Sequence, residues 1–211
     1  MTTNKPTLED MSPRRRRNRE RTIQAILDTS RVIMRENGVG ALSMQELARR
    51  LDMQAPSLYN YFSGLMDIYD AVFRLGYTLW GEYFKEYIQD AQTWQDKVRL
   101  ALEAYLTFAL SNPELYQLCF ERPVPGFVPS EESLQVSFGI LHDVYERIGK
   151  LKKDIDTDLP TEQLADLLLA ITHGITALHM ANEPHLPLGQ GRFGALFPAV
   201  LSLLERAWSK G

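Results

Sequence analysis

Apolar residues recur every three or four positions along almost the whole chain, and this spacing is typical of helices that bury one face. The first such stretch covers residues 18–37 and ends at Asn37-Gly38, residue types that tolerate the left-handed conformation found at helix ends. Its apolar positions are Ile23, Ile26, Leu27, Ile33 and Met34. The pattern therefore predicts an amphipathic helix over 18–37.

Two shorter helices are predicted next, each from a start signal. Ser43 and Glu46 have the spacing of a capping box, in which the hydroxyl and the carboxylate each bond a free backbone N–H, and they predict a helix over 43–50. Pro56 fits the first turn of another helix over 55–62, because the N–H that proline lacks is not needed there.

The helix over 55–62 has one apolar side. Leu58 and Phe62 lie four residues apart and can pack under the two preceding helices. Polar and aromatic groups are left facing outward: Gln54, Ser57, Asn60 and Tyr61, with Tyr59 at the border. Two short helices joined by a tight turn, the second with such a surface, indicate a helix-turn-helix with a recognition helix for the DNA major groove. The alternative is an ordinary helical hairpin with surface tyrosines.

The rest of the chain keeps the helical period. Loops are predicted where prolines, glycines or charges interrupt it, at 122–130, 152–160 and 183–192. Further helices are predicted over 65–89, 93–111, 113–120, 131–151, from 161 onward and over 191–208. The predicted fold class is all-α, with nine helices and no credible strand.

Charge divides the chain into two parts. Residues 1–62 hold 11 Lys and Arg against 7 Asp and Glu, a net +4, whereas residues 63–211 hold 12 against 20, a net −8, which together give −4. A basic front on an acidic protein suggests that one end meets a polyanion. Cys119 is the single cysteine, which excludes an internal disulfide, fits a reducing interior and predicts a cytoplasmic protein. Residues 164–181 are apolar but carry Asp166 and two histidines, so no membrane span is predicted.

Residues 22–73 closely resemble the DNA-binding domain of tetracycline-repressor-type (TetR-type) transcriptional regulators. The resemblance rests on "AILDTSRVIMRENG", "SMQELA" and "SLYNYF", and it covers the first third of the chain. It implies a basic, flexible N-terminal arm over 1–17, a DNA-binding domain over 18–64 and an effector-binding and dimerisation domain over 65–211. One departure is "SGLM" at 63–66, where many members place a phosphate-contacting lysine. Either another basic group or the backbone N–H groups of that helix start must replace it.

Roles at the DNA follow from the resemblance and from side-chain chemistry. The resemblance implies that Ser43, Tyr59 and Tyr61 contact phosphates, which position the protein without reading sequence. The remaining groups suit base edges: Gln54 or Asn60 an adenine, and Ala55, Pro56 or the Ser57 methylene a thymine methyl. The arginine run, Arg14, Arg15, Arg16 and Arg17, is expected along the backbone or in a neighbouring minor groove.

The resemblance also implies a homodimer through the last two helices. These helices are apolar over nearly their whole circumference. The predicted interface residues are Leu164, Leu168, Ile171, Ile175, Leu178, Phe197, Leu201 and Leu204. "LLLAITHGITAL" is similar to a C-terminal subclass marked by Trp-His-Gly, with Thr172 in place of the tryptophan. A twofold pair holds two recognition helices ~35 Å apart and predicts a near-palindromic operator.

Aromatic residues between the two ends suggest a ligand pocket, which the resemblance supports. Its predicted lining is Trp80, Phe84, Tyr105, Phe108, Tyr116, Phe120 and His173. The alternatives are a packed aromatic core and, for His173, a core histidine bonded to a backbone carbonyl. Cys119 is expected to pack, because apolar neighbours raise a thiol pKa. The function predicted is a repressor released by a small, largely apolar molecule of unknown identity.

Two other functions compete with a DNA-binding regulator. An enzyme is not predicted, because the four histidines, His142, His173, His179 and His185, lack zinc-site spacing and no catalytic motif is present. No catalytic residue, metal or cofactor is therefore predicted. The other alternative is a helical protein-interaction module in which residues 47–62 bind a partner chain; weak salt dependence of any DNA binding would favour it.

Overall fold

The computed structural model describes residues 12–209, which form nine α-helices and no strand, as predicted. A segment of π-helix, Gln117–Glu121, extends α6. The helices are α1 Pro13–Asn37, α2 Met44–Arg50, α3 Ala55–Leu58, α4 Leu65–Ile88, α5 Trp94–Ser111, α6 Pro113–Tyr116, α7 Glu131–Leu151, α8 Thr161–Asn182 and α9 Phe197–Trp208.

Helix α1 begins earlier than the sequence pattern predicts. Ser12 caps it, with its Oγ accepting from Arg15 N at 3.5 Å, and Pro13 occupies the first turn. The arginines at 14–17 therefore lie in the helix, and their assignment to a flexible arm is wrong. The cap and the proline explain the difference, because an exposed charged turn needs no apolar residues to continue a helix. Residues 1–11 of the predicted arm lie outside the described residues.

Helices α3 and α9 are shorter than predicted. After Leu58 the backbone continues in hydrogen-bonded turns, with Tyr61 N and Phe62 N both donating to Leu58 O at 2.9 and 3.1 Å. The turns still carry the side chains round the same axis. Helix α9 starts at Phe197 rather than 191, because a separate 3-10 turn, Gly194–Leu196, precedes it.

The front core is filled by residues with almost no exposed surface. Ile26, Leu47 and Leu58, one from each of the first three helices, are all 0% exposed. Tyr69 of α4 enters the same core, and its hydroxyl donates to Val39 O at 2.7 Å. The start of α4 thus belongs to the front core, while the rest of the helix continues into the back. The division at residue 64 stays a prediction.

In the back of the molecule, α4 and α7 run parallel and are joined at their starts. Asp70 accepts from Ser130 N at 2.7 Å and from the hydroxyls of Ser130 and Ser133 at 2.9 Å, so a side chain of α4 helps to cap α7. Further along, Gly81 lies against Ile140. A second buried cluster lies where α5, α8 and α9 meet: Val98, Leu102, Leu106, Leu164, Ile175, Phe197, Leu204 and Trp208.

Helix α8 is apolar for a reason that the fold explains. Among residues 12–209 it is the one helix long and apolar enough to cross a membrane, with a mean hydropathy of 1.4 over an 18-residue window. Leu164, Thr176 and His179 of this helix are each 0% exposed inside the protein. Its composition therefore fits a core helix of a globular domain.

Candidate nucleic-acid interface and ligand cavity

The helix-turn-helix is held by the cap of α2. Ser43 Oγ accepts from Glu46 N at 3.2 Å, as the capping box predicts. The Glu46 carboxylate does not make the reciprocal bond of a capping box. Its oxygens accept from Arg49 Nε at 2.8 Å and from Arg50 Nε at 2.7 Å. Hydrogen bonds from Arg49, and then from Arg50, lower the pKa of Glu46 to about 2. The predicted bond from the backbone N–H of Ser43 to the Glu46 carboxylate is therefore wrong, because the carboxylate binds the neighbouring guanidinium groups instead.

The surface of α3 and its following turn has the outward polar character that the sequence predicts. Gln54, Pro56 and Asn60 are exposed, and Tyr59 keeps 49% of its surface accessible. Ala55, Ser57 and Tyr61 are half-buried beside them. Leu58 anchors the segment underneath. All the residues predicted to face DNA on this segment share one surface, and their individual roles stay predictions.

Arg19 is a contributor to this surface that the sequence pattern did not single out. It extends from α1, with Nη1 donating to Asn60 O at 2.8 Å and the guanidinium carbon 5.2 Å from the centre of the Tyr61 ring. A guanidinium has five N–H donors, so others remain to bind an anion. The only available signal was the nearby arginine run, since the contact spans 41 residues of chain.

The start of α4 carries an acidic group where the TetR resemblance suggests a lysine. Asp67 Oδ2 accepts from Ser63 N at 3.0 Å and also bonds Ser63 Oγ. An aspartate in the first turn of a helix competes with an incoming phosphate for the same N–H groups and repels it. Of the two replacements for the lysine, the backbone N–H groups of this helix start are therefore less favoured, and another basic side chain is more favoured.

Behind the DNA-binding region lies a cavity of about 750 Å³. Four of the predicted lining residues do line it: Trp80, Phe84, Tyr105 and Phe120. Phe108, Tyr116 and His173 lie outside that lining. Phe108 and Tyr116 are 0% exposed within the aromatic core, and His173 Nδ1 lies 3.0 Å from the Tyr105 hydroxyl. His173 is half-buried, and its hydrogen-bond partners are tyrosine hydroxyls rather than the backbone carbonyl of the alternative interpretation.

Helix α7 supplies a wall of the cavity that the sequence did not reveal. Its contributions include Leu134, Ile140, Leu141, Val144 and Ile148. Periodicity shows that this helix has an apolar face but does not show whether that face meets packed atoms or open space. Cys119 also borders the cavity, and burial raises the pKa of its thiol, in agreement with the predicted packing role.

Half of the residues predicted for the dimer interface are buried within the chain itself. Leu164, Ile175, Phe197 and Leu204 are each at most 8% exposed and pack inside the chain. Leu168, Ile171 and Leu201 are half-buried against the same cluster, whereas Leu178 is 48% exposed. A helix that is apolar all round does not reveal which side faces its own core. The exposed apolar side chains include Leu167, Leu169, Ala170, Leu178 and Ala181 on α8, Leu196 in the 3-10 turn before α9, and Ala199 and Leu203 on α9.

An ion-pair cluster joins α1 to α6. Glu114 has a side chain with 0% exposure, and its carboxylate accepts from Arg31 Nε, Arg35 Nε and Arg35 Nη2, each at 2.9 Å. Arg31 Nη2 also donates to Asn112 Oδ1 at 2.9 Å. We name these four residues the Glu114 cluster. The sequence did not reveal it, because its partners lie about eighty residues apart in the chain.

Metal ligation has no candidate in the part of the chain that the structure describes, where no group of three or more His, Cys, Asp or Glu residues converges.

Comparisons with known proteins agree with this geometry. Residues 26–72 match the family model described as "Bacterial regulatory proteins, tetR family", and residues 98–203 match one described as "Tetracyclin repressor-like, C-terminal domain". The chain is 25% identical over 139 residues to HTH-type transcriptional regulator Rv1816 of Mycobacterium tuberculosis. That match covers 64% of this chain and 59% of the relative, so the chain spans less than two thirds of the curated relative's length.

Solved structures share the fold. A protein of unknown function from Rhodococcus sp. RHA1 superimposes with a TM-score of 0.75 at 16% identity, covering 99% of both chains. The transcriptional regulator FadR from Bacillus subtilis, in complex with stearoyl-CoA, gives 0.64 at 18% identity, covering 86% of this chain and 96% of that one.

Proposed function

We propose that this chain, which belongs to the tetR family of bacterial regulatory proteins, is a DNA-binding transcriptional regulator. It acts as a cytoplasmic, homodimeric repressor, without enzymatic activity, that a small ligand releases from a near-palindromic operator. The observation that carries the proposal is the exposed polar surface of α3 at the front of a chain whose back encloses a cavity of about 750 Å³. A DNA-reading element and a ligand-sized space in one chain are what a ligand-controlled regulator needs.

At the operator, the proposed base contacts come from the exposed side of α3. Gln54 or Asn60 bonds an adenine edge, and Ala55, Pro56 or Ser57 contacts a thymine methyl. Ser43, Tyr59 and Tyr61 bind phosphates; the Ser43 oxygen that accepts from Glu46 N still has its own O–H to donate.

Arg19 is proposed to replace the family lysine. It lies beside Asn60 and Tyr61, and its remaining donors suit a phosphate. Asp67 at the start of α4 makes a backbone-only phosphate site unfavourable there. The exposed side chains of Arg14–Arg17 add further cations along α1.

The dimer is proposed to form through the outward apolar residues of α8 and α9, of which Leu178 alone belongs to the set predicted from sequence. Leu167, Leu178 and Leu203 are 40%, 48% and 58% exposed. Large apolar side chains that share one side of two neighbouring helices favour burial against a second copy. Two copies related by a twofold axis then present their α3 helices to successive major grooves.

Release is proposed to act through the segment that follows α5. Leu118, Cys119 and Phe120 border the cavity, and the same segment begins at α6, where Glu114 is bonded to α1. A ligand that displaces this wall changes the position of α1 and with it the spacing of the two DNA-binding heads. It shifts the equilibrium only if it binds the two arrangements with different affinity. The FadR neighbour, which holds stearoyl-CoA, supports a ligand site within this fold.

The test is to select DNA fragments with the purified protein and to measure the affinity for the selected duplex at several salt concentrations. We expect a palindromic motif, a steep loss of affinity with salt and a preference that Asn60→Ala weakens, by about 1–3 kcal/mol, at one position of each half-site. Failure to select any motif, together with flat salt dependence, would favour a protein-interaction module instead.

A further inference from the structure

We propose that the cavity binds a single-chain amphiphile whose anionic head group is held by Arg122 and whose hydrocarbon chain lies between α4 and α7. This inference rests on the proposed function, since it names the ligand class of the same cavity. It is carried by the length of the apolar walls, by the position of one arginine and by the charges at the opposite end.

The cavity is long and apolar along its length. Helix α4 lines it from Phe73 to Ile88, which is about 22 Å at the rise of an α-helix. The parallel helix α7 lines the facing side from Leu134 to Leu151. A space of this length with helical walls suits an extended chain better than a compact ring system.

Arg122 stands at the end nearest the DNA-binding region. It lines the cavity and ends the π-helical segment with φ 50° and ψ 52°, the left-handed region, which an arginine occupies at some cost. Tyr77 lines the same cavity. Within residues 12–209 Arg122 forms no ion pair.

Tyr77 gives Arg122 a neutral neighbour. Burial raises the pKa of Tyr77 to about 12, so its hydroxyl stays protonated at neutral pH. It donates to Cys119 O at 3.4 Å, a long hydrogen bond that the hydroxyl can give up in order to donate to a ligand. A carboxylate at this end therefore meets a planar guanidinium fork and a phenol donor, the groups that hold carboxylates best.

The far end of the cavity holds Arg147, which like Arg122 forms no ion pair within residues 12–209, but its other charged groups differ. Its lysines already have acidic partners, Lys97 with Asp154 at 3.6 Å and Lys150 with Glu146 at 3.9 Å. Asp166, which accepts from the Tyr145 hydroxyl at 2.9 Å, adds a carboxylate to the lining there. An anionic head at that end would be repelled by Asp166, although Arg147 also lines it. The charge pattern therefore directs the head group to Arg122 and the hydrocarbon tail away from it.

The experiment compares dodecanoate with dodecanol, which share one chain and differ in charge. Binding to the free protein is measured by displacement of a solvent-sensitive dye, below the concentrations at which either probe aggregates. We expect dodecanoate to bind at least about tenfold more tightly than dodecanol, as a charge-assisted hydrogen bond implies. Arg122→Gln is expected to abolish that difference and to leave dodecanol binding unchanged.

Arg147→Gln is the matched control, because it removes the same charge from the other end of the same cavity. It is expected to preserve the preference for dodecanoate. The proposal is overturned if the two probes bind alike, if neither binds, or if Arg147→Gln removes the preference and Arg122→Gln does not. Operator binding is then measured separately with dodecanoate present. Arg122-dependent binding without any change in DNA affinity would uphold the ligand class and refute the release mechanism.

Discussion

The front and the back of this protein bury their apolar residues in different ways. The first three helices and the start of α4 close round Ile26, Leu47, Leu58 and Ile68, each with 0% exposure. Behind them, α4, α5, α7 and α8 leave about 750 Å³ open between apolar walls. Dense packing holds one geometry, whereas an incompletely filled interior is held by fewer interatomic attractions and deforms more easily. The difference suits the proposed function, in which the densely packed front reads DNA and the more deformable back responds to ligand.

The largest expected effect comes from truncating one leucine in each part. Leu58→Ala should lower the free energy of unfolding by about 2–5 kcal/mol, because it leaves a hole in closed packing. Leu141→Ala should lower it by less than about 1 kcal/mol, because Leu141 already borders the cavity and is 39% exposed. Chemical denaturation of both variants gives the two values. Equal losses would mean that the back is as tightly packed as the front.

A smaller effect is expected where the two parts are joined. Glu114→Gln removes the buried charge that holds Arg31 and Arg35 and should cost about 1–3 kcal/mol, since both arginines retain access to water. It should also reduce the effect of ligand on operator affinity. Glu103→Gln is the control, because Glu103 pairs with Arg99 within α5 alone. If operator release were unchanged in the Glu114 variant, the Glu114 cluster would not carry the coupling.

Two glycines, one on α4 and one on α7, allow a finer comparison of tight and open packing. A Cβ at Gly76 would lie 2.6 Å from Cys119 Sγ, so Gly76→Ala should destabilise the protein by about 1–2 kcal/mol. Adding Cys119→Ala should recover part of that stability, which a double-mutant cycle measures as favourable coupling. Gly139→Ala, on the exposed side of α7 with no atom within 4 Å of the new Cβ, should instead gain about 0.5–1 kcal/mol. Additive effects of the first pair would contradict the close approach.

The smallest effect on stability should come from the arginine run. Replacing Arg14–Arg17 with alanine should change the free energy of unfolding by less than about 0.5 kcal/mol, because all four side chains are exposed. It should nevertheless weaken binding to every duplex about equally and lower the salt slope by about 0.9 for each phosphate that is no longer neutralised. Weaker binding to the selected operator alone would show that these arginines read sequence.

Local signals predicted the front of the molecule well. The helical period, the Ser43 cap and Pro56 were enough to locate α2 and α3. These features depend on neighbours in the sequence, so they can be seen without coordinates. They predicted the exposure of Gln54 and Asn60. Ser57 and Tyr61, predicted to face outward, are instead half-buried, and Tyr59, predicted at the border, is 49% exposed. The start of α1 was misjudged because a run of arginines has no apolar period, although Ser12 and Pro13 are a recognisable helix start.

Long-range contacts account for what the sequence did not predict. Arg19 meets Asn60, and Glu114 meets Arg31 and Arg35, across 41 to 83 residues of chain. Likewise, the periodicity of α7 and α8 shows that they bury apolar faces but not whether those faces meet a cavity, the chain's own core or a second subunit. Only the packed structure separates these cases.

Helix α1 is unbroken from Pro13 to Asn37, so its two ends behave as a single rod. Arg31, fastened to Glu114, lies about 24 Å from Arg15 along the axis. Pivoting the rod by about 5° at the fastened end would carry the arginines sideways by about 2 Å, which is most of the length of a hydrogen bond to a phosphate. The arginine run thus lies at the end of α1 farthest from the Glu114 contact, where a given rotation of the helix produces the largest displacement.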